Sequence, residues 1–408
     1  MTPTADTAVG LPELPGTRAA GCPFDPPPAL HALQTDSPVT RVRIWDGSSP
    51  WLITRHDHMR TLLGDPRVSS DPAQPGFPHR SAGMRERDRR SPTFINMDDP
   101  EHARLRRMVT APFAVKKMEA LRPAVQRIVD DLIDGMLAGP GPVDLVEAFA
   151  LPIPSLVICE LLGVPYEKHD FFQRHTKVII RRSSTPEEVR EASEGLTDYL
   201  YDLLTVKRAT PGDDLLSELA VKRVATGEMT QREAARMGVL LLAAGHETTA
   251  NMIALGTLAL LENPAQLALL REAEDPKAVA GAVEELLRYL NITHSGRRRV
   301  ALEDIEVGGR TIRAGEGIIF ANDIANRDPD AFPDPDRLDL TRDARRHVAF
   351  GFGVHQCLGQ PLARIELQCV YSTLYKRIPT LQLATRIDQL EFKHDGFVYG
   401  VYALPVTW

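Results

Sequence analysis

The segment Gln231 to Asn263 constrains this chain most. Its 33 residues suit a single helix of about 50 Å at 1.5 Å per residue, and nearly all of its middle is apolar or small. A helix that is hydrophobic all round has to be buried, so the remaining chain must pack around it. At its centre stands Ala243-Ala244-Gly245-His246-Glu247-Thr248-Thr249. A carboxylate removed from water is costly unless it is paired or hydrogen-bonded. Adjacent threonines with a glycine also favour a local kink, because a Thr hydroxyl competes for the i−4 carbonyl. The polar break is therefore either a satisfied patch against a neighbouring helix or a site of chemistry. It is not a zinc-protease motif, since H-E-x-x-H needs a histidine where Thr249 stands. The apolar run Met237 to Gly245 is far shorter than the roughly 20 residues of a membrane span.

The 408 residues are 43% hydrophobic and 25% charged, enough apolar material for a large core, which excludes a disordered or disulfide-scaffold chain. A formal charge of −7 argues against a nucleic-acid partner. The cysteines, Cys22, Cys159, Cys357 and Cys369, include no C-x-x-C pair. Zinc ribbons and iron–sulfur clusters thus lack their ligands, and a reducing cytoplasm is the expected home. Met1 to Pro28 has no basic stretch followed by an apolar core, so neither a secretory signal nor a membrane anchor is expected there.

Val39 to Trp45 and Trp51 to Thr54, joined by Asp46-Gly47, read as a β-hairpin. Asp98 to about Arg377 is mostly helical in period, interrupted by a β region from Arg297 to Phe320 that turns at Gly308-Gly309. Leu390 to Val406 reads as short strands, and Asp71 to Met97 as a long loop holding five arginines between Arg80 and Arg90. Length alone suggests two or three domains, whereas sheet at both ends of a helical mass suggests one mainly α unit with a small β region. The first twenty or so residues are expected to be flexible.

Phe350-Gly351-Phe352-Gly353-Val354-His355-Gln356-Cys357-Leu358-Gly359 is the most informative stretch. Its glycines let the backbone approach something flat or bulky. The segment Leu362 to Arg377 reads as a helix with Pro361 in its first turn. Cys357 therefore lies just before a helix N-terminus, where the dipole favours the thiolate that a metal ligand must be. Gly351-x-Gly353-x-x-Gln356 lacks the third glycine of a dinucleotide fingerprint.

Taken together these motifs resemble the cytochrome P450 family, the haem-thiolate monooxygenases, of the soluble actinobacterial type. Phe350, Gly353, His355, Cys357 and Gly359 match F-x-x-G-x-[HR]-x-C-x-G. Glu285-Leu-Leu-Arg288 matches E-x-x-R, with Arg337 as its usual third member, and Ala244-Gly-His-Glu-Thr-Thr249 matches A-G-x-[DE]-T-T. The resemblance spans essentially the whole chain and implies one cytochrome P450 domain over residues 1–408, mainly α, with its long central helix over the haem.

By that resemblance Cys357 is the proximal ligand of heme b (iron protoporphyrin IX), and thiolate donation favours O–O cleavage. Phe350, Gly351 and Gly359 of the loop, and Ala244 on the long helix, are expected against the cofactor. His102 and Arg106, at i and i+4 of a helix capped by Asp98 or Asp99, are expected with Arg299 and His355 to meet the propionates. Thr248 and Glu247 take the oxygen-activation roles, a hydroxyl with a carboxylate behind it as a proton relay to O2.

The 51 residues after Cys357 carry no flavin or iron–sulfur domain, so electrons are expected from a separate ferredoxin and ferredoxin reductase. Arg104, Arg107, Arg345, Arg346 and Arg364 are the candidate dock. The substrate is expected to be a lipophilic polyketide, terpenoid or xenobiotic, and the protein a monomer. Arginines between Arg80 and Arg90, with Arg174, Lys177, Arg181 and Arg182, suggest a cationic entrance suited to carboxylates. The alternative on the same fold is a peroxide-driven or isomerising haem-thiolate enzyme.

Overall fold

The computed structural model describes residues 10–19, 22–90 and 92–408. The long segment forms the helix Gln231–Leu261 of 31 residues, two short of the expected end. A reciprocal capping box starts it: Thr230 Oγ1 accepts from Glu233 N (3.1 Å) and Glu233 Oε2 accepts from Thr230 N (2.7 Å), which satisfies two otherwise orphaned donors. The helix is buried along most of its length. It packs on Pro152–Leu162, Pro186–Ala209 and Gln360–Arg377. Tyr371 Oη donates to Met252 O (2.6 Å) and fixes the crossing with the last of these. A Cβ at Gly256 would lie 1.9 Å from that hydroxyl, so only glycine admits the contact.

The β region is a five-stranded sheet in the order Val39–Arg41, Trp51–Ile53, Gly317–Phe320, Arg297–Ala301, Val68–Ser69. Trp51–Ile53 pairs parallel with Gly317–Phe320, and the other neighbours are antiparallel. The Asp46-Gly47 turn forms as expected, with Gly47 at φ +82°. Gly308-Gly309 closes a separate hairpin, Ile305–Val307 with Arg310–Ile312. The tail contributes a Phe392–Val401 bridge and the strand Pro405–Thr407, which lies between Val143–Asp144 and Gln382–Leu383.

Two expectations are corrected. Asp71–Met97 is not all loop, because Ala82–Arg90 is helical. Its polar run has no hydrophobic period to read. What holds it is Ser81 Oγ accepting from Met84 N (3.2 Å) and the close approach of Gly83 to Val189 on Pro186–Ala209, where a Cβ would fall 2.9 Å from Val189 Cγ2. Of the first twenty residues, expected to be flexible, 1–9 and 20 lie outside the described set. Within the described part Leu14 is buried, and Leu14 N and Pro12 O bond to Arg43 (2.9 and 2.8 Å). Among the described residues no single helix is long and apolar enough to cross a membrane.

The E-x-x-R pair anchors the corner beneath the cysteine loop. Glu285 and Arg288, on Pro276–Leu290, are both fully buried and paired at 2.7 Å. Arg288 also donates to the carbonyls of Asn326 (2.9 Å) and Pro335 (2.7 Å). The expected third member is wrong. Arg337 is exposed, pairs with Asp339, and contributes only its carbonyl; it is Arg342 that reaches Glu285 Oε1 (3.2 Å). Glu285→Ala leaves a buried guanidinium unopposed and should cost about 3–5 kcal/mol of stability, whereas Arg337→Ala should cost less than about 1 kcal/mol. Denaturation midpoints check this, and equal losses would remove the network from its structural role.

Candidate functional site

The helix after the cysteine loop, Gln360–Arg377, begins with Gly359 at its N-cap, which leaves Cys357 just outside its first turn. Two loop glycines are required by backbone conformation. Gly351 and Gly353 stand at φ +75° and +74°, and a Cβ at Gly353 would fall 2.3 Å from Leu63 O. Gly359 has an ordinary φ and open space beside it. Cys357 N donates to Phe350 O (2.9 Å), closing the loop on itself. Arg364 lies over the Phe350 ring (4.6 Å) and pairs with Glu284 (2.6 Å), which also takes His347 (3.1 Å). Burial opposes ionisation of Glu284, but these two partners outweigh it and hold its carboxyl down to about 2. They fasten the loop to Pro276–Leu290.

All four cysteines are free; Cys159 and Cys369 are buried in the core, and Cys22 Sγ contacts Asp25 (3.1 Å). Burial pushes the Cys357 thiol up, against Arg297, the Gly359 N–H, Arg106 and Arg364, which all favour the thiolate. A coordinated metal ion would deprotonate it outright. Among the described residues no group of three or more His, Cys, Asp or Glu could hold a metal. A metal on Cys357 must bring its other ligands with it, as in a macrocycle.

His102, Arg106, Arg299 and His355 come together as expected. The helix Glu101–Thr110 presents His102 and Arg106 on one face. His102 Nδ1 bonds to Asp99 Oδ1 (3.0 Å), and its ring lies 4.0 Å from that of His355. His355 Nε2 meets Ser70 Oγ (2.9 Å), itself held by Asp98 (3.0 Å), and Arg106 Nη2 donates to Gln356 O (2.6 Å). Burial and the neighbouring Arg297 push Arg299 down to about 9. Burial, Arg299, His102 and Arg106 push His355 down to about 2. Both depressions report positive charge crowded in low dielectric.

The site gains a residue the motifs missed. Arg297 stands two residues before Arg299, hence on the same face of the strand. That period of two was the available signal. Both lie deep in the molecule yet keep accessible surface, because they line an internal void. His102 Nε2, His355 Nδ1 and Arg297 Nε are buried without a hydrogen-bond partner. Buried polar atoms are rarely left so. A flat group with anionic edges would meet this cluster of guanidinium and imidazole nitrogens, and the residues present therefore fit a haem with its propionates.

On the opposite wall, Ala244 is exposed and Thr248 half-exposed in the middle of a buried helix, so both face the same void. Thr248 Oγ1 donates to Ala244 O (2.6 Å), the competition expected of it, although the helix continues unbroken. Glu247 is buried and turned elsewhere. Its carboxylate meets Asn251 Nδ2 (3.3 Å) and Lys393 Nζ (3.6 Å), the latter from the C-terminal region and invisible to any local motif. The structure records no hydrogen bond between Glu247 and Thr248. Of the five candidate docking arginines, Arg104 pairs with Glu101 and Glu233, Arg345 with Asp343 and Arg364 with Glu284. Arg107 and Arg346 are exposed and, among the described residues, have no carboxylate within 4.0 Å.

Comparison with known proteins agrees with this geometry. The family model for Cytochrome P450 matches residues 167–378. Cytochrome P450 GfsF of Streptomyces halstedii is 57% identical over 405 residues, 99% of this chain and 98% of the relative. Vitamin D3 dihydroxylase of Streptomyces griseolus is 46% identical over 412 residues, all of both chains. The crystal structure of the mycinamicin VIII C21 methyl hydroxylase MycCI from Micromonospora griseorubida, with mycinamicin VIII bound, superposes with a TM-score of 0.91 at 40% identity, covering 98% of this chain and 100% of that one. A cysteine beside a cluster of guanidiniums and imidazoles, with whole-length similarity to these relatives, leads to one conclusion: the chain belongs to the cytochrome P450 family and is a haem-thiolate monooxygenase.

Proposed function

We propose that Cys357 would ligate the iron of heme b, that His102, Arg106, Arg297, Arg299 and His355 would hold its propionates, and that residues 1–408 act as one catalytic unit upon a lipophilic small molecule. The observations that carry this reading are three buried side-chain nitrogens without a hydrogen-bond partner, His102 Nε2, His355 Nδ1 and Arg297 Nε, together with the uncovered face that Ala244 and Thr248 present in the middle of a buried helix. When bound, the haem supplies electron transfer to dioxygen and the oxidising equivalent for oxygen insertion. Phe350, fixed by Arg364, and the glycines Gly351 and Gly359 shape the surface on which the macrocycle lies.

The protein's own contribution to the chemistry is proton handling. Insertion of one oxygen atom with reduction of the other to water consumes two protons. Thr248 presents its hydroxyl to the void, while Glu247, held by Lys393 and Asn251, lies behind it as a proton store. A carboxylate one residue from the hydroxyl serves both by rotation of its side chain. The named relatives act on vitamin D3 and mycinamicin VIII, which supports a bulky lipophilic substrate for this chain as well. Electrons come from a ferredoxin and its reductase, docking where Arg107 and Arg346 carry no carboxylate partner among the described residues. A cytoplasmic monomer completes the proposal.

Three outcomes test it. Cys357→Ala should abolish the red-shifted Soret band of the carbon-monoxide complex; persistence of the band would remove Cys357 as ligand. Thr248→Ala should keep haem binding but lower product formed per NAD(P)H by about tenfold or more, with the lost electrons recovered as hydrogen peroxide; unchanged coupling contradicts the relay. Product should form with ferredoxin, reductase and NAD(P)H, and weaken as salt screens the dock. Product from peroxide alone, with none from the electron-transfer chain, would favour the peroxide-driven reading.

A further inference from the structure

A second cationic cluster lies on the other face of the arginine strand. Arg298 alternates with Arg297 and Arg299 and so points away from the haem site, into a cavity of about 450 Å³. Six separated segments line it: the N-terminal segment at Leu14, the hairpin at Trp45, the start of helix Ala82–Arg90, the connection between His169–Ile180 and Pro186–Ala209, the stretch holding Ser295 and Arg298, and the C-terminal region at Phe397. Arg80, Arg182 and Arg298 all reach it.

None of the three has a carboxylate within 4.0 Å among the described residues. Arg298 donates to the carbonyls of Pro78 (3.2 Å) and Ser295 (3.0 Å), and its Nε is buried with no partner. Arg80 bonds to Ser295 Oγ and Arg182 to His394 O, both neutral acceptors. The cavity's one carboxylate, Asp395, is engaged by Arg181 (3.6 Å) and by the Tyr402 hydroxyl. Burial and the like charges of Arg80 and Arg182 depress the Arg298 guanidinium well below its ordinary range. Guanidiniums gathered in a part-buried cavity, one of them buried, with neutral acceptors only are destabilised unless an anion joins them. Guanidinium recognises a carboxylate by two parallel hydrogen bonds, and Leu14, Trp45 and Phe397 supply apolar wall around it.

We propose that this cavity is a carboxylate-binding subsite, formed by Arg80, Arg182 and Arg298, that selects amphiphilic substrates bearing a free acid; it rests on the monooxygenase reading above. The test titrates haem-loaded protein with dodecanoic acid, methyl dodecanoate and dodecanamide, following binding by calorimetry and by the Soret shift. The acid should bind about tenfold or more tighter than the ester and the amide, and added salt should weaken the acid alone. Arg298→Gln and the half-buried Arg182→Gln should each bring the acid close to the amide, and Arg182→Gln keeps the test available if the buried variant fails to fold. Equal affinity for all three probes, or acid selectivity unchanged in Arg182→Gln, would overturn the subsite. Loss of the carbon-monoxide Soret band in the unaltered protein would instead overturn the haem-thiolate reading.

Discussion

A cluster of guanidiniums and imidazoles crowded in low dielectric organises this molecule. Guanidiniums and imidazoles from three separate parts of the chain, at positions 102 and 106, 297 and 299, and 355, converge on one void, and three of their side-chain nitrogens have no hydrogen-bond partner. Such an arrangement is unfavourable in isolation and becomes favourable when an anion occupies it. A negatively edged cofactor bound among them would in turn stabilise the fold that gathers these residues.

The rest of the architecture keeps that void open and shaped. The central helix forms one wall because its apolar length must be buried, and Tyr371 locks it to the helix that follows the cysteine loop. Glu284 fastens that loop through His347 and Arg364, while its sequence neighbour Glu285 fastens the underlying corner through Arg288 and Arg342. Two adjacent glutamates on one helix thus serve two different attachments, and the cysteine is positioned by both. The strand carrying Arg297 to Arg299 divides its charge by alternation, with two arginines towards the haem site and one towards the outer cavity.

Local demands were legible in the sequence. Gly351 and Gly353 are required by left-handed backbone, the long helix announced itself by its apolar length, and Asp46-Gly47 and Gly308-Gly309 specified their turns. His102 and Arg106 could be placed on one helix face by spacing alone. Tertiary choices were not legible. Nothing in the order of residues says that Arg342 rather than Arg337 reaches Glu285, that Lys393 takes Glu247, or that Arg364 is already engaged and unavailable to a partner. The helix Ala82–Arg90 was hidden because its stability comes from Gly83 packing on a distant helix and not from a hydrophobic period. The outer cavity draws on six segments, and no motif spans them.

The central claim is that Cys357 supplies the one protein ligand at a site whose remaining coordination comes from a macrocycle. Iron-edge X-ray absorption of the purified, haem-loaded protein tests it directly. The account predicts one sulfur scatterer in the first coordination shell, lost in Cys357→Ala while the four macrocycle nitrogens remain. A shell of nitrogen and oxygen alone in the unaltered protein, or a sulfur that survives the substitution, would contradict it.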